Sequence, residues 1–383
     1  MFDHSHYVPV IKWKRGEQRA LEYLDHPLKN HMTPLLEITP IFFEEEEDEK
    51  SRSQKLDKEL VNIGQDVRRC WNNDTPVFVD TIQLEVDDQL FMSTGKHFLE
   101  YVIEDIEAHG TPAIPVVNTA HYQPFWSSLE NVLRQYGRGL CLRVKRGQLN
   151  NLGNLKNDID LVINNLHLTP ENIDLVLDFE YIGDDTPSVL FTNALMGIVQ
   201  FPYLTQWRSF SLMGTSMPSS LRMKANTLGN LPRNEFDVYK QLVSIRGGLG
   251  RLPSFGDYTI NNNTYTNFDP SMMQVAATIR YTTADKFLIF RGASTKGTAN
   301  GGFQQYISLA QDVVKHPDYY GRSYSYGDGY IYDCAHQLNG VSTGSHETWR
   351  RAGVNHHLTL VINELANLHG SSTPGTPVAS IRP

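Results

Sequence analysis

Tyr7-Val8-Pro9-Val10-Ile11-Lys12 is the stretch from which the fold follows: a short apolar run that ends on a charged residue. Five later segments repeat it: Pro34-Leu35-Leu36-Glu37, Val77-Phe78-Val79-Asp80, Ile114-Pro115-Val116-Val117-Asn118, Leu140-Cys141-Leu142-Arg143 and Leu175-Val176-Leu177-Asp178. Apolar runs of this length suit strands buried on both faces, which is the condition of strands in a parallel sheet. Helical spacing fills the gaps between them. Ala20, Leu21 and Leu24 follow the first run, and Leu56, Leu60, Ile63 and Val67 precede the third. Phe98 to His109 and Phe125 to Tyr136 read as further crossover helices. The alternation predicts an α/β protein of the TIM-like (β/α)8 barrel type. In such barrels the residue at the C-terminal end of each strand points at a shared mouth.

A seventh strand is expected at Phe210-Ser211-Leu212 and an eighth at Lys286 to Phe290, with an irregular insertion at about 217–285 between them. That insertion is rich in Gly, Asn and Pro, and its Phe255-Gly256-Asp257-Tyr258 reads as a turn. Val275 to Tyr281 and Phe287 to Phe290 read as a hairpin, which conflicts with a purely parallel barrel unless a strand covers one edge. The domain reading is therefore a barrel over 1–300, a helical C-terminal extension over 301–369 packed on it, and a flexible tail at 370–383.

Composition narrows the function. The 383 residues are 40% hydrophobic and 20% charged, as in ordinary globular proteins. A net charge of -9 disfavours general binding to a phosphate backbone while permitting a locally basic site. Cys70, Cys141 and Cys334 are odd in number and sit in apolar surroundings, which reads as buried thiols in a reducing compartment. The N-terminus has neither a basic nor an apolar leader region, and no run of 18 apolar residues occurs, so a cytoplasmic protein without membrane contact is expected.

The barrel argument gathers candidate chemistry at the mouth. Glu37, Asp80, Asp178 and Glu180 form an acidic set, the last two sharing a strand face by alternation, fit for acid/base work or for a divalent cation. Their bland counterpart is a structural ion network with Lys12, Lys14 and Arg143. Lys12, Lys14, Asn118, Arg143 and Arg291 are the candidates for holding an anionic, phosphorylated small molecule or nucleotide. Arg291-Gly292-Ala293-Ser294-Thr295-Lys296-Gly297 matches a phosphate loop in composition only. His346, His356 and His357 lack the HExxH spacing of zinc hydrolases and read as surface or helix-packing residues. The acidic run Glu44 to Glu49 reads as a solvated loop or first helical turn, with docking of a basic partner as its functional alternative.

The opening Tyr7 to Glu17, Pro34 to Ile38, Phe255 to Tyr258 and the late Trp349-Arg350-Arg351-Ala352-Gly353-Val354-Asn355-His356-His357 together resemble the beta-protein family. The family is named for the beta protein of a satellite phage, encoded between a killing protein, gop, and a small regulator in a locus that protects bacteria from other phages. The resemblance implies anti-phage defence beside a toxic partner protein, and supplies no site residues of its own. Three readings stay open: a barrel whose mouth binds an anionic ligand, with phosphoester hydrolysis or nucleotide modification as its chemistry if it is an enzyme; a non-catalytic regulator that neutralises a toxic effector or phage protein; and recognition of nucleic-acid ends within the mouth.

Overall fold

The computed structural model describes residues 2–44, 47–85, 90–119, 121, 123–265, 275–297, 301–338 and 340–370. Strands β1 (Tyr7–Lys12), β2 (Leu35–Glu37), β3 (Val77–Asp80), β4 (Ala113–Val117), β5 (Leu140–Lys145), β6 (Ile173–Tyr181) and β7 (Ser209–Thr215) run parallel in chain order. Next come β8 (Thr227–Pro232), β9 (Ser254–Asp257), β10 (Ala276–Thr282) and β11 (Lys286–Ser294). The barrel closes through β9, which pairs with β7 at Leu212↔Phe255 and with β1 at Tyr7↔Phe255.

Closure by Ser254–Asp257 corrects the expectation that Lys286 to Phe290 is the eighth strand and that Phe-Gly-Asp-Tyr is a turn. The closing strand is only four residues long and contains Gly and Asp, both poor strand formers, so its sequence carries no apolar run. Lys286 to Phe290 has the apolar run but belongs to a separate antiparallel sheet of order β10-β11-β8. The expected hairpin is therefore real, and β8 completes it from inside the expected insertion.

Alternation sorts the barrel side chains into two layers. Val8, Val10, Leu35, Phe78, Ile114, Val116, Cys141, Val176 and Met213 fill the interior, joined by Tyr258 just past β9. Tyr7, Ile11, Leu36, Val79, Leu142, Leu177 and Phe255 face outward into a larger core shared with the surrounding helices. By the same parity Lys12, Glu37, Asp80, Arg143 and Asp178 take inward positions at the C-terminal strand ends.

In the small sheet β10 and β11 are covered on both faces, while β8 is largely exposed. Phe287 and Ile289 join the barrel core, while Ile279, Tyr281, Leu288 and Phe290 pack with the helices Gln305–Lys315 and Tyr326–Ala335. The C-terminal helix, His346–His369, runs between the small sheet and the barrel and lies along helix Arg15–Glu22. Gly353 permits that approach, since a Cβ there would stand 2.8 Å from the Arg280 carbonyl oxygen. Buried polar pairs fix the helix: His357 Nε2 lies 2.9 Å from Asp257, which also accepts from the Tyr7 hydroxyl at 2.6 Å, and His356 Nδ1 lies 2.8 Å from Asp328. Of the two expected roles, surface or helix packing, His356 and His357 thus take the second. His346 is half-buried beside the Thr295 and Tyr306 hydroxyls.

All three cysteines are free and buried. Among the described residues no helix is long and apolar enough to cross a membrane. The proposed tail beyond Gly370 lies outside the described residues, as do Glu45 and Glu46 of the acidic run. Within that run, Asp48 caps helix Glu49–Leu60 by accepting from the Ser51 N–H, and Glu47 pairs with Lys55.

Gly256 tests the closure. A Cβ there would meet the Val8 carbonyl oxygen at 2.7 Å and Met213 at 3.0 Å, so Gly256→Ala should destabilise the fold by about 1–3 kcal/mol through overpacking. A thermal melt of the variant superimposable on that of the parent would refute the packing described for this strand.

Candidate functional site

Arg143, at an inward position on β5, occupies the axis of the barrel mouth. Its Nε donates to Asp178 Oδ2 at 2.9 Å, its Nη1 to Glu37 Oε1 at 3.0 Å and Asp80 Oδ2 at 2.6 Å, and its Nη2 to the Tyr258 hydroxyl at 2.6 Å. Tyr258 in turn donates to Asp178 Oδ2 at 2.5 Å. Each of these side chains is buried. Burial alone would pull the Arg143 pKa down, but the surrounding Tyr258, Asp178, Glu37 and Asp80 hold it well above the ordinary arginine value. Backbone amides take the remaining oxygens of two carboxylates: Ile82 N–H donates to Asp80 and Glu180 N–H to Asp178.

The expected convergence of Glu37, Asp80, Arg143 and Asp178 is therefore present, with Arg143 bound by the carboxylates rather than open to a ligand. Glu180 does not join it. The strand register shifts after Asp178, Glu180 adopts φ 56°, and its carboxylate pairs with Lys145 at 3.0 Å. Asn118 follows β4, its backbone N–H donating to His121 Nε2 at 3.1 Å. Arg291 stands on β11, outside the barrel. Among the described residues no group of three or more His, Cys, Asp or Glu has the arrangement to hold a metal ion.

Lys12 marks a second region, beside the axis. Its ammonium donates to the Thr264 carbonyl oxygen at 2.6 Å and sits 3.9 Å from the centroid of the Tyr265 ring. The Tyr265 hydroxyl donates to Glu37 Oε2 at 2.7 Å, so one aromatic side chain connects Lys12 to the axial network. Lys14 approaches the same ring at 5.3 Å.

From there a cleft of about 370 Å³ opens between the barrel rim, the small sheet and the C-terminal helix, within the range of small-molecule sites, ~300–1,000 Å³. Lys12, Lys14, Arg15, Arg280 and Arg350 line it, against Glu17 and Glu347 as its acids. Arg15 faces Glu347 at 3.7 Å, Arg280 donates to the Ile260 carbonyl oxygen at 2.7 Å, and Arg350 donates to Asn261. Burial lowers Lys12 to about 8 in spite of Glu37 and Glu17. Burial, reinforced by the neighbouring cations Arg350 and Arg291, lowers Arg280 to about 9. Burial also raises Glu17 to about 7, although Arg350 and Lys12 pull the other way. Cations that repel one another in a partly dry cleft favour a bound anion.

The sequence reading reached Lys12 and Lys14 but missed Glu17, Tyr258, Tyr265, Arg280 and Arg350. Tyr258 had a signal, standing next to a segment that closes the barrel. Arg280 and Arg350 belong to elements beyond the barrel, and no strand-end pattern points to them.

The family model described as Beta protein matches residues 7–363. Among solved structures the chain is similar to a mutant tryptophan synthase alpha-subunit from Pyrococcus furiosus, at 12% identity and a TM-score of 0.36 over 67% of this chain and 89% of that one. It is also similar to triosephosphate isomerase from Bartonella henselae, at 8% identity and a TM-score of 0.33 over 66% and 91%. No curated protein matches the chain.

Two outcomes check the electrostatics. Arg143→Met strands three buried carboxylates and should destabilise the protein by about 3–5 kcal/mol, with part of the loss recovered when Asp178→Asn is added; a neutral effect in chemical denaturation would refute the network. For Glu17, the folded chain keeps a proton that the unfolded chain releases between 4.5 and about 7, so its own contribution to stability should fall as pH rises through that window, against the rise contributed below 6.5 by His6, His97 and His369, which burial lowers. The stability of the parent minus that of Glu17→Gln, measured by chemical denaturation at each pH, should therefore fall across the window, since the contributions of buried Glu235 and of the buried histidines are common to both chains.

Proposed function

Since the chain belongs to the Beta protein family, we propose that it serves in an anti-phage defence module of a bacterium or prophage, acting with a toxic partner and binding a phosphorylated or otherwise anionic ligand. The observation that carries the ligand reading is the cleft of Lys12, Lys14, Arg15, Arg280 and Arg350, a concentration of cations in a chain whose net charge is -9. Arginine forks and lysine ammoniums are the groups that recognise phosphate oxygens. The overall acidity, meanwhile, disfavours long stretches of nucleic acid, so the ligand class is a small molecule or nucleotide. The axial carboxylates have a positioning role in this reading: they hold Arg143 and, through Tyr265, the floor beneath Lys12. The protein acts in the cytoplasm, consistent with its unpaired, buried cysteines.

A second reading, a non-catalytic regulator that neutralises the toxic effector or a phage protein, has one observation in its favour. Val189, Met196 and Val199 are each about half exposed on helix Pro187–Val199. Such an apolar helix face suits a protein partner.

A phage-challenge assay of the intact locus separates the two readings. Lys14→Glu combined with Arg350→Gln should abolish protection while thermal melts and partner co-purification stay normal. Retained protection in that variant, together with loss in Val189→Asp plus Met196→Asp, would transfer the function to the outer helix face.

A further inference from the structure

Among the described strands β8 is the one in which no residue is buried. It stands at an edge of the small sheet, paired with β11 alone. The register tells which of its backbone groups are free. Leu231 lies opposite Phe287, and the Arg233 N–H donates to the Asp285 carbonyl oxygen at 3.1 Å, the next rung in the same register. Hydrogen-bonded positions alternate along an antiparallel pair, so Thr227, Gly229 and Leu231 face β11 while Leu228 and Asn230 turn their N–H and C=O groups outward. Pro232, which has no N–H, falls on the outward side, where a proline leaves the ladder intact. Among the described residues no other backbone segment hydrogen-bonds to Leu228 or Asn230. The opposite edge is sealed by side chains: the Thr278 N–H on β10 donates to the Tyr306 hydroxyl at 3.2 Å, and His356 Nε2 lies 2.8 Å from the Thr282 carbonyl oxygen.

An open edge is a template for another strand, and proteins guard it with charge, proline or a covering segment. Thr227–Pro232 carries no charge, and the Leu228 side chain on it is 47% exposed. The flanking charges select the occupant. Arg222 and Lys224, both exposed, precede the strand. At its far end Asp285 has its side chain 68% exposed with Lys286 at 3.7 Å, and Asp237 pairs with Lys240. A second copy lying antiparallel brings Arg222 and Lys224 of each chain toward Asp285 of the other, whereas a parallel copy would set basic end on basic end. The antiparallel register that uses every outward group places Leu228 against Asn230 of the other copy and puts Gly229 on the two-fold axis. Facing residues at such a non-hydrogen-bonded position approach most closely, which suits a residue without a side chain; Met223 already fills the space that a Gly229 side chain would take.

We propose that β8 is a dimerisation strand: two copies of this chain pair antiparallel through the backbones of Leu228 and Asn230 about a two-fold axis at Gly229, joining their small sheets into one. The inference is independent of the anion site.

Sedimentation velocity of the full chain, from low to high micromolar concentration, tests it. The parent should pass from monomer to dimer by mass action and stop there, since two-fold pairing uses up both open edges. Asn230→Pro removes an outward N–H without touching the ladder to β11, and Leu228→Lys sets two ammoniums diagonally across the axis on one face. Each should weaken the dimer at least about tenfold with the thermal melt unchanged. An equimolar mixture of Leu228→Lys and Leu228→Glu chains should pair again, as the register centred on Gly229 requires. A parent chain that stays monomeric throughout overturns the proposal, and so does a dimer that Leu228→Lys leaves equally tight. A monomer whose Leu228 and Asn230 amides gain protection from exchange only when a partner protein is added assigns the edge to that partner and overturns the proposal too. Leu228→Lys alters an exposed side chain only, so it decides the matter even if Asn230→Pro fails to fold.

Discussion

The Arg143 guanidinium is the constraint on which the barrel mouth depends. A single cation receives carboxylates from β2, β3 and β6 and a phenol from the segment after β9, so side chains from opposite sides of the barrel meet at one atom group. None of them is tolerable alone in a buried position, since unpaired buried charge costs several kcal/mol. Their mutual pairing sets the relative positions of strands otherwise joined only edge to edge. Beneath them lies an apolar layer that includes Val10, Leu35, Phe78 and Val176. The polar group therefore closes a dry core at its C-terminal end, the end at which barrels of this kind present their functional groups.

The network also shapes the neighbouring cleft. Glu37 accepts from Arg143 on one oxygen and from Tyr265 on the other, and the Tyr265 ring lies against the Lys12 ammonium. Removing the charge balance on the axis would thus be felt at Lys12 both through this phenol and through the charge of Glu37 itself. The carboxylates that look catalytic by type, Glu37, Asp80 and Asp178, are all paired with Arg143 in this arrangement.

Much of the barrel was legible because a doubly buried strand must be apolar over its whole length, and the runs from Tyr7 to Lys12 and from Leu175 to Asp178 advertise that. The closing strand was not legible, because Ser254–Asp257 contributes Gly256 where a neighbouring backbone leaves no room for a side chain and Asp257 where a buried histidine needs a partner. Its composition answers to packing against other elements, which one-dimensional pattern reading cannot register. Lys286 to Phe290 was the converse, an apolar run that is buried on both faces within a different sheet. Parity brought Glu37, Asp80, Arg143 and Asp178 together correctly, yet it could not tell whether Arg143 would be left open to a ligand, since that depends on how many carboxylates reach it. The same parity failed at Glu180, where the backbone leaves the strand conformation.

The cleft draws its cations from parts of the chain that are far apart in sequence: Lys12 ends the first strand and Lys14 caps the helix after it, Arg280 lies in the second sheet, and Arg350 lies on the last helix. Lys12 and Arg280 have their charged forms disfavoured by burial, so the assembled cleft holds an unfavourable concentration of charge that its own acids only partly offset. Glycines at the helix contact, Gly16 against Glu347 and Gly353 against the Arg280 backbone, bring the elements close enough to concentrate it. Stability alone would favour fewer cations or more acids in such a place. An anion placed there would relieve the like-charge repulsion, so the arrangement suits binding better than folding. That imbalance, and not the barrel fold, is what the proposal of an anion site at the rim beside Lys12 rests on.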